Sequence, residues 1–253
     1  MHRALTTLAL TASLCLATAP AQAQRRDFAN GGVSQLGGQV LPGRSALATG
    51  GLYPGLWFQF TMSLSRRFDL GFRGDLYYAS PLGNQYGAGT GFSLPMRVAL
   101  SQSSRVSVAL KLAPSFIAGN FEDDELNGVY CRDTPDGWRC WDNRSGFYRG
   151  YNNSDFGLGM GFEIGVLVGI PVKIVNIIVG ITSPIHLVFY DDHDGGDLYI
   201  PVAPFGGAEI RLTDKLNVFG MAQPGVTFHS NGHGREMEGY FRFWAGIELT
   251  LGH

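Results

Sequence analysis

From Phe156 to Val166 the chain alternates strictly. Phe156, Leu158, Met160, Phe162, Ile164 and Val166 are apolar, and Gly157, Gly159, Gly161, Glu163 and Gly165 stand between them. A period of two belongs to a strand, because successive side chains leave opposite faces of the pleat. One face is continuous hydrocarbon; the other is nearly bare backbone around one carboxylate. The pattern recurs along the chain. Leu56, Phe58, Phe60, Met62 and Leu64 oppose Trp57, Gln59, Thr61 and Ser63, and Phe68, Leu70, Phe72 and Leu76 oppose Asp69, Arg73 and Asp75. Phe92 to Leu100 sets Arg97 against its apolar parity, and Val106 to Leu112 does the same with Lys111. Val175 to Ile181, Leu198 to Leu212, Leu216 to Val226 and Phe241 to Leu251 complete nine runs, with His186, Glu209, Arg211, Arg242 and Glu248 on the polar side. Charges keep to one parity throughout.

The connections come in two sizes. Ser65-Arg66, Gln102 to Ser104, Pro171-Val172 and Thr213-Asp214 are tight, whereas Ser80 to Thr90, Gly119 to Asp155, Asp191 to Gly196 and Ser230 to Glu238 are longer and more polar. Short turns at one end and long loops at the other are the habit of transmembrane barrels, whose closure leaves no unpaired strand edge in hydrocarbon. An even number of strands needs one more upward strand before the Leu52 to Leu64 run, and it falls in Gly32 to Leu47. The fold expected is therefore all-β, a transmembrane antiparallel up-and-down β-barrel of about ten strands, with eight to twelve compatible with the pattern.

Residues 1–23 read as a secretory signal peptide: Arg3 at the start, an apolar stretch around Leu8 to Ala17, and Ala21-Gln22-Ala23 at the end. Residues 24–253 then form one barrel domain with a long outer loop at 119–155. The net charge of −2 and the lack of a basic cluster longer than Arg66-Arg67 argue against nucleic acid as a partner. The most apolar stretch, Ile164 to Ile181, is interrupted by Pro171 and Lys173 and is rich in Val and Ile, so it reads as two strands rather than one membrane helix.

At the C-terminus, Ala245, Ile247, Leu249 and Leu251 occupy alternate positions. This resembles the terminal signal of Gram-negative outer-membrane barrels, with His253 standing where that family usually carries an aromatic residue. The Leu64-Ser65-Arg66-Arg67-Phe68-Asp69-Leu70-Gly71 segment also resembles the turns of small, uncharacterised bacterial outer-membrane proteins. The resemblance implies residence in the cell outer membrane, contact with its lipid and lipopolysaccharide, and handling by the outer-membrane assembly machinery.

Three groups of residues carry candidate chemistry. The lumen parity collects Asp69, Arg73, Asp75, Arg97, Lys111, Glu163, His186, Glu209, Arg211, Arg242 and Glu248, which in so narrow a barrel either pair into a plug or line a small passage. Asp191, Asp192, Asp194 and Asp197, beside His193, form an acidic outer loop that is a weak calcium candidate and otherwise a solvated surface. An Asp/His pair at a barrel mouth is similar to the omptin proteases, but that family places its residues on extended strands, so the catalytic roles do not carry over to this contiguous loop. Cys131 and Cys140 bracket a Pro-Asp-Gly turn and suit a disulfide in an oxidising exterior. The expectation is a small porin-like channel or a structural surface protein with no catalysis and no cofactor. Its alternatives are adhesion or binding of a solute or surface ligand through the stapled loop, or an omptin-like hydrolase.

Overall fold

The computed structural model describes residues 37–38, 44–82, 86–103, 105–122, 129–134, 137–142, 156–190, 196–231 and 234–251. Thirteen strands follow in order: β1 (Ser45–Tyr53), β2 (Gly55–Ser65), β3 (Phe68–Ala79), β4 (Tyr86–Ser93), β5 (Met96–Gln102), β6 (Ser107–Glu122), β7 (Val129–Thr134), β8 (Gly137–Asp142), β9 (Phe156–Val172), β10 (Val175–Tyr190), β11 (Gly196–Arg211), β12 (Leu216–Asn231) and β13 (Gly234–Leu251). β4 and β5 both lie between β3 and β6, so together they make one wall, broken at Leu94-Pro95. The hydrogen bonds from Gly71 N to Pro95 O (2.7 Å) and from Leu94 N to Pro114 O (2.9 Å) carry the ladder across the break. β7 and β8 pair only with each other. That leaves ten walls, each antiparallel to its neighbours, and β1 closes the sheet against β13 from Ser45↔Leu251 to Tyr53↔Phe243. The fold is a closed, ten-stranded, antiparallel up-and-down barrel.

The strict alternation becomes an outside and an inside. Phe58 is 64% exposed while its neighbours Trp57 and Gln59 are buried, and Met160 is 59% exposed between Gly159 and Gly161. The outward parity carries exposed aliphatic and aromatic side chains; the inward parity carries the charges, the amides, the small residues and a second set of buried apolar and aromatic side chains.

Four boundaries differ from those read in the sequence. The first wall is Ser45–Tyr53 rather than 32–47, and its partner begins at Gly55. Its alternation is faint because its inward positions are small: Ala48 packs under Trp57 and Phe219, and a Cβ on Gly50 would lie 3.0 Å from the Trp57 ring. The β9–β10 turn falls at Lys173-Ile174, two residues later than Pro171-Val172, because Pro171 stays in the ladder opposite Asn176. The 230–238 segment is no long loop: the ladder runs up to Asn231↔Gly234 and leaves two residues to turn the chain. Pairing also continues above the expected loop starts, with Gly89↔Gly119 and Tyr86↔Glu122, so the connections there shorten to 80–85 and 123–155, the latter containing β7 and β8.

Candidate functional site in the barrel lumen

The lumen is filled in three storeys. At the short-turn end, Arg97 (β5) donates from Nη2 to Asp69 Oδ2 (β3) at 2.7 Å and from Nη1 to the Gly37 carbonyl at 3.1 Å. Asp69 is 0% exposed. Gly37 and Gly38 thus bring a segment that precedes the first strand across the barrel floor. A Cβ on Gly38 would sit 2.5 Å from Ser107 O and 2.9 Å from Leu167 O, so only glycine passes so close to the β6 and β9 backbones. Beside it, Asn217 Nδ2 (β12) bridges two buried carboxylates, donating to Glu209 Oε1 (β11) at 3.1 Å and Glu248 Oε1 (β13) at 3.3 Å, while Asn176 Nδ2 (β10) reaches Glu209 Oε2 at 3.4 Å. Arg211 is half-buried on the same rim.

The middle storey holds two further ion pairs. Arg73 and Asp75 (β3) meet through Nη2 and Oδ1 at 2.6 Å, with a second hydrogen bond from Nε at 2.9 Å, and the guanidinium lies 4.6 Å over the Trp57 ring. Lys111 Nζ (β6) meets Glu163 Oε2 (β9) at 2.8 Å. Gln223 donates to Thr182 at 2.6 Å and Gln59 to Thr61 at 2.9 Å. Leu167, Ile178, Phe205 and Met221 pack against Trp244 and close most of the space. Among the described residues a cavity of about 50 Å³ touches Arg73, Arg97, Lys111, Glu163 and Trp244. It has room for a few waters.

The upper storey is a plug made by the β3–β4 connection. Leu82 is 0% exposed against Ile117, Val188 and Tyr199, with Tyr77 and Tyr190 alongside. Its carbonyl accepts from Thr227 Oγ1 at 2.8 Å, and the Pro81 carbonyl accepts from Arg242 Nη2 at 2.8 Å. Ser115 Oγ and His186 Nε2 lie 2.9 Å apart across β6, β9 and β10. The strand between them contributes Gly161, the register partner of both, and its bare Cα lets the two side chains meet. The other glycines of β9 act alike: a Cβ on Gly159 would meet Ile117 at 2.6 Å, and one on Gly165 would meet Thr182 at 2.5 Å. The bare strand is therefore occupied by side chains from its neighbours.

All eleven lumen charges named from the sequence lie on the inward parity. Six of them form the three ion pairs across and along the walls. Two features had no sequence signal: the floor segment at Gly37-Gly38 and the inward fold of Ser80 to Leu82, since neither alternates. Of the acidic loop, Asp191, Asp192 and Asp194 lie outside the described residues, as does His193. Asp197 belongs to β11, where its Oδ2 is 3.1 Å from His229 Nε2 (β12), and the His229 ring stacks on Tyr199 at 4.2 Å. The β7–β8 register sets Cys131 opposite Cys140 and Tyr130 opposite Trp141. The signal peptide assigned to 1–23 lies outside the described residues.

No protein-family model matches the chain, and no curated protein sequence matches it. Among solved structures it is similar to the outer membrane protease OmpT from Escherichia coli, with 10% identity and a TM-score of 0.41, over 82% of this chain and 96% of that one.

Proposed function

We propose that the chain is an integral outer-membrane β-barrel with a filled lumen, acting as a structural and surface-interaction protein without a catalytic centre. The observation that carries the reading is the sidedness of the ten walls. Outward positions such as Leu56, Phe58, Phe72, Phe162, Ile181, Phe243 and Ile247 are exposed and apolar, whereas the charges face inward and pair. In water that outer face would far exceed the apolar patches a soluble monomer exposes. In hydrocarbon it is the matching surface, and the closed sheet leaves no backbone edge unpaired.

The three storeys of packing favour a structural role over a porin-like one, because a conducting barrel needs a continuous aqueous path. The β7–β8 hairpin, borne on the longest connection, is then the element displayed outside. The facing positions of Cys131 and Cys140 support a disulfide that stiffens it, worth about 2–3 kcal/mol by restricting the unfolded loop.

Refolding the mature chain into lipid vesicles should give a band whose migration changes on heating, and planar bilayers should show no conductance above the lipid background. A solute-sized conductance that changes on Glu163→Ala or Arg242→Ala would replace this reading with the porin-like one. Deleting 123–155 should abolish surface-ligand binding and leave the heat-modifiable band. Peptide or lipid hydrolysis lost on His193→Ala would overturn the non-catalytic assignment.

A further inference from the structure

The four short turns share one chemistry. Arg66 and Arg67 lie between β2 and β3, Arg105 between β5 and β6, Lys173 between β9 and β10, and Lys215 between β11 and β12; all five are exposed. Arg44 stands on the same rim just before β1. Asp214 is the one exposed carboxylate of this rim among the described residues, and none of the six cations takes part in an ion pair there.

These cations are also held in place. The Arg67 carbonyl accepts from Ala99 N at 2.8 Å, the Lys215 carbonyl from Thr250 N at 2.7 Å and the Arg44 carbonyl from Ser63 N at 3.0 Å, so the turns are hydrogen-bonded into the wall ends. In three of the four turns an exposed aliphatic residue stands within two positions of a cation: Leu64 before Arg66, Val106 after Arg105, and Val172 and Ile174 around Lys173. Lys173 even occupies the left-handed region, with φ of 56°, where glycine or asparagine would be the easier choice. One connection at the opposite end, 191–197, has the reverse sign, with four aspartates and no lysine or arginine. A ring in which hydrocarbon gives way to positive charge within one or two residues matches a bilayer at the depth where acyl chains give way to phosphate.

We propose that the short-turn rim is a collar for anionic phospholipid headgroups of the leaflet it faces, with arginines gripping phosphate through paired N–H donors and lysines as point charges. The shared chemistry is a phosphate monoanion, and free inorganic phosphate is the other source to be distinguished. The proposal rests on the membrane-spanning reading above.

The test uses the mature chain refolded into vesicles of phosphatidylcholine alone and of phosphatidylcholine mixed with phosphatidylglycerol. Lipids carried with the protein are counted by native mass spectrometry. The wild type should retain phosphatidylglycerol several-fold above its bulk proportion. Arg66→Gln, Arg67→Gln, Arg105→Gln, Lys173→Gln and Lys215→Gln together should return that ratio to bulk, each cation being worth about fivefold at its own site. The pair Lys173→Gln and Lys215→Gln should lower the ratio in part, which keeps the test open if the fivefold variant does not fold, and Arg66→Lys with Arg67→Lys should preserve it. A folded wild type holding phosphatidylglycerol at its bulk proportion overturns the collar alone. So does inorganic phosphate displacing the lipid at matched ionic strength. No heat-modifiable band in either vesicle overturns the membrane reading and the collar with it.

Discussion

Replacing Lys111 by methionine isolates the worth of one lumen ion pair. Its ammonium stands 2.8 Å from Glu163, an attraction of ~6 kcal/mol at an effective dielectric of about 20. Desolvating both groups offsets most of that, so the intact pair contributes little against an apolar pair of equal volume, whereas a lone carboxylate costs about 3–5 kcal/mol. Arg73 and Arg242 also act on Glu163, which places the loss for Lys111→Met at the lower end, about 3 kcal/mol. Adding Glu163→Leu to the same chain should recover most of it and leave the double variant within about 1 kcal/mol of wild type. Urea unfolding in vesicles, followed by the emission of Trp57 and Trp244 with Trp138 and Trp141 changed to Phe, reads the difference directly. If the single variant unfolds at the wild-type urea concentration, or if the double variant is no more stable than the single, a lone Glu163 carboxylate carries no such cost in the lumen and the reasoning fails.

Three more outcomes follow from the packing. Leu82→Ala should cost about 2–3 kcal/mol, below the usual core value because the plug can settle, and should speed amide hydrogen exchange at position 82, whose N–H bonds Ser80 Oγ. Gly161→Ala places a methyl against the β10 backbone and His186, and should lower stability by about 1–3 kcal/mol, whereas Gly220→Ala, with open space around it, should be tolerated in the same unfolding assay. Gly38→Val should drive the floor segment off Ser107 and Leu167, seen as new reactivity of a cysteine placed at Ser107 toward a water-soluble thiol reagent added from the turn side.

How much of this was legible in the sequence follows from what side-chain alternation encodes. It encodes sidedness wherever the outward residues are large and the inward ones polar or bare, as in β9, β10 and β13, each of which contains the stretch its pattern marks and runs beyond it. It fails where both faces are small. β1 shows Ala46, Ala48 and Gly50 inward because the large rings of Trp57, on its neighbour β2, and Phe219, on β12, fill the space over it. A strand that serves as a socket has no pattern of its own, since its logic lies in residues of two other strands. Turns failed for a related reason: backbone pairing continues through glycines, as at Gly89↔Gly119, long after side chains stop alternating.

The site was legible as a set and not as partners. Parity alone puts Asp69, Arg97, Lys111 and Glu163 inside, but the choice of Arg97 for Asp69 and Lys111 for Glu163 depends on the register between walls: Asp69↔Arg97 face directly, while Lys111 pairs with Gly165 and reaches Glu163 on the diagonal. The diagonal is open because Gly165 has no side chain. The bare face of β9, which from sequence reads equally as room for a passage or as room for neighbours, is crossed at Gly159, Gly161 and Gly165 by Ile117, His186, Thr182 and Lys111. Glycine here sets the reach of the adjacent walls, whose side chains meet where its own is missing.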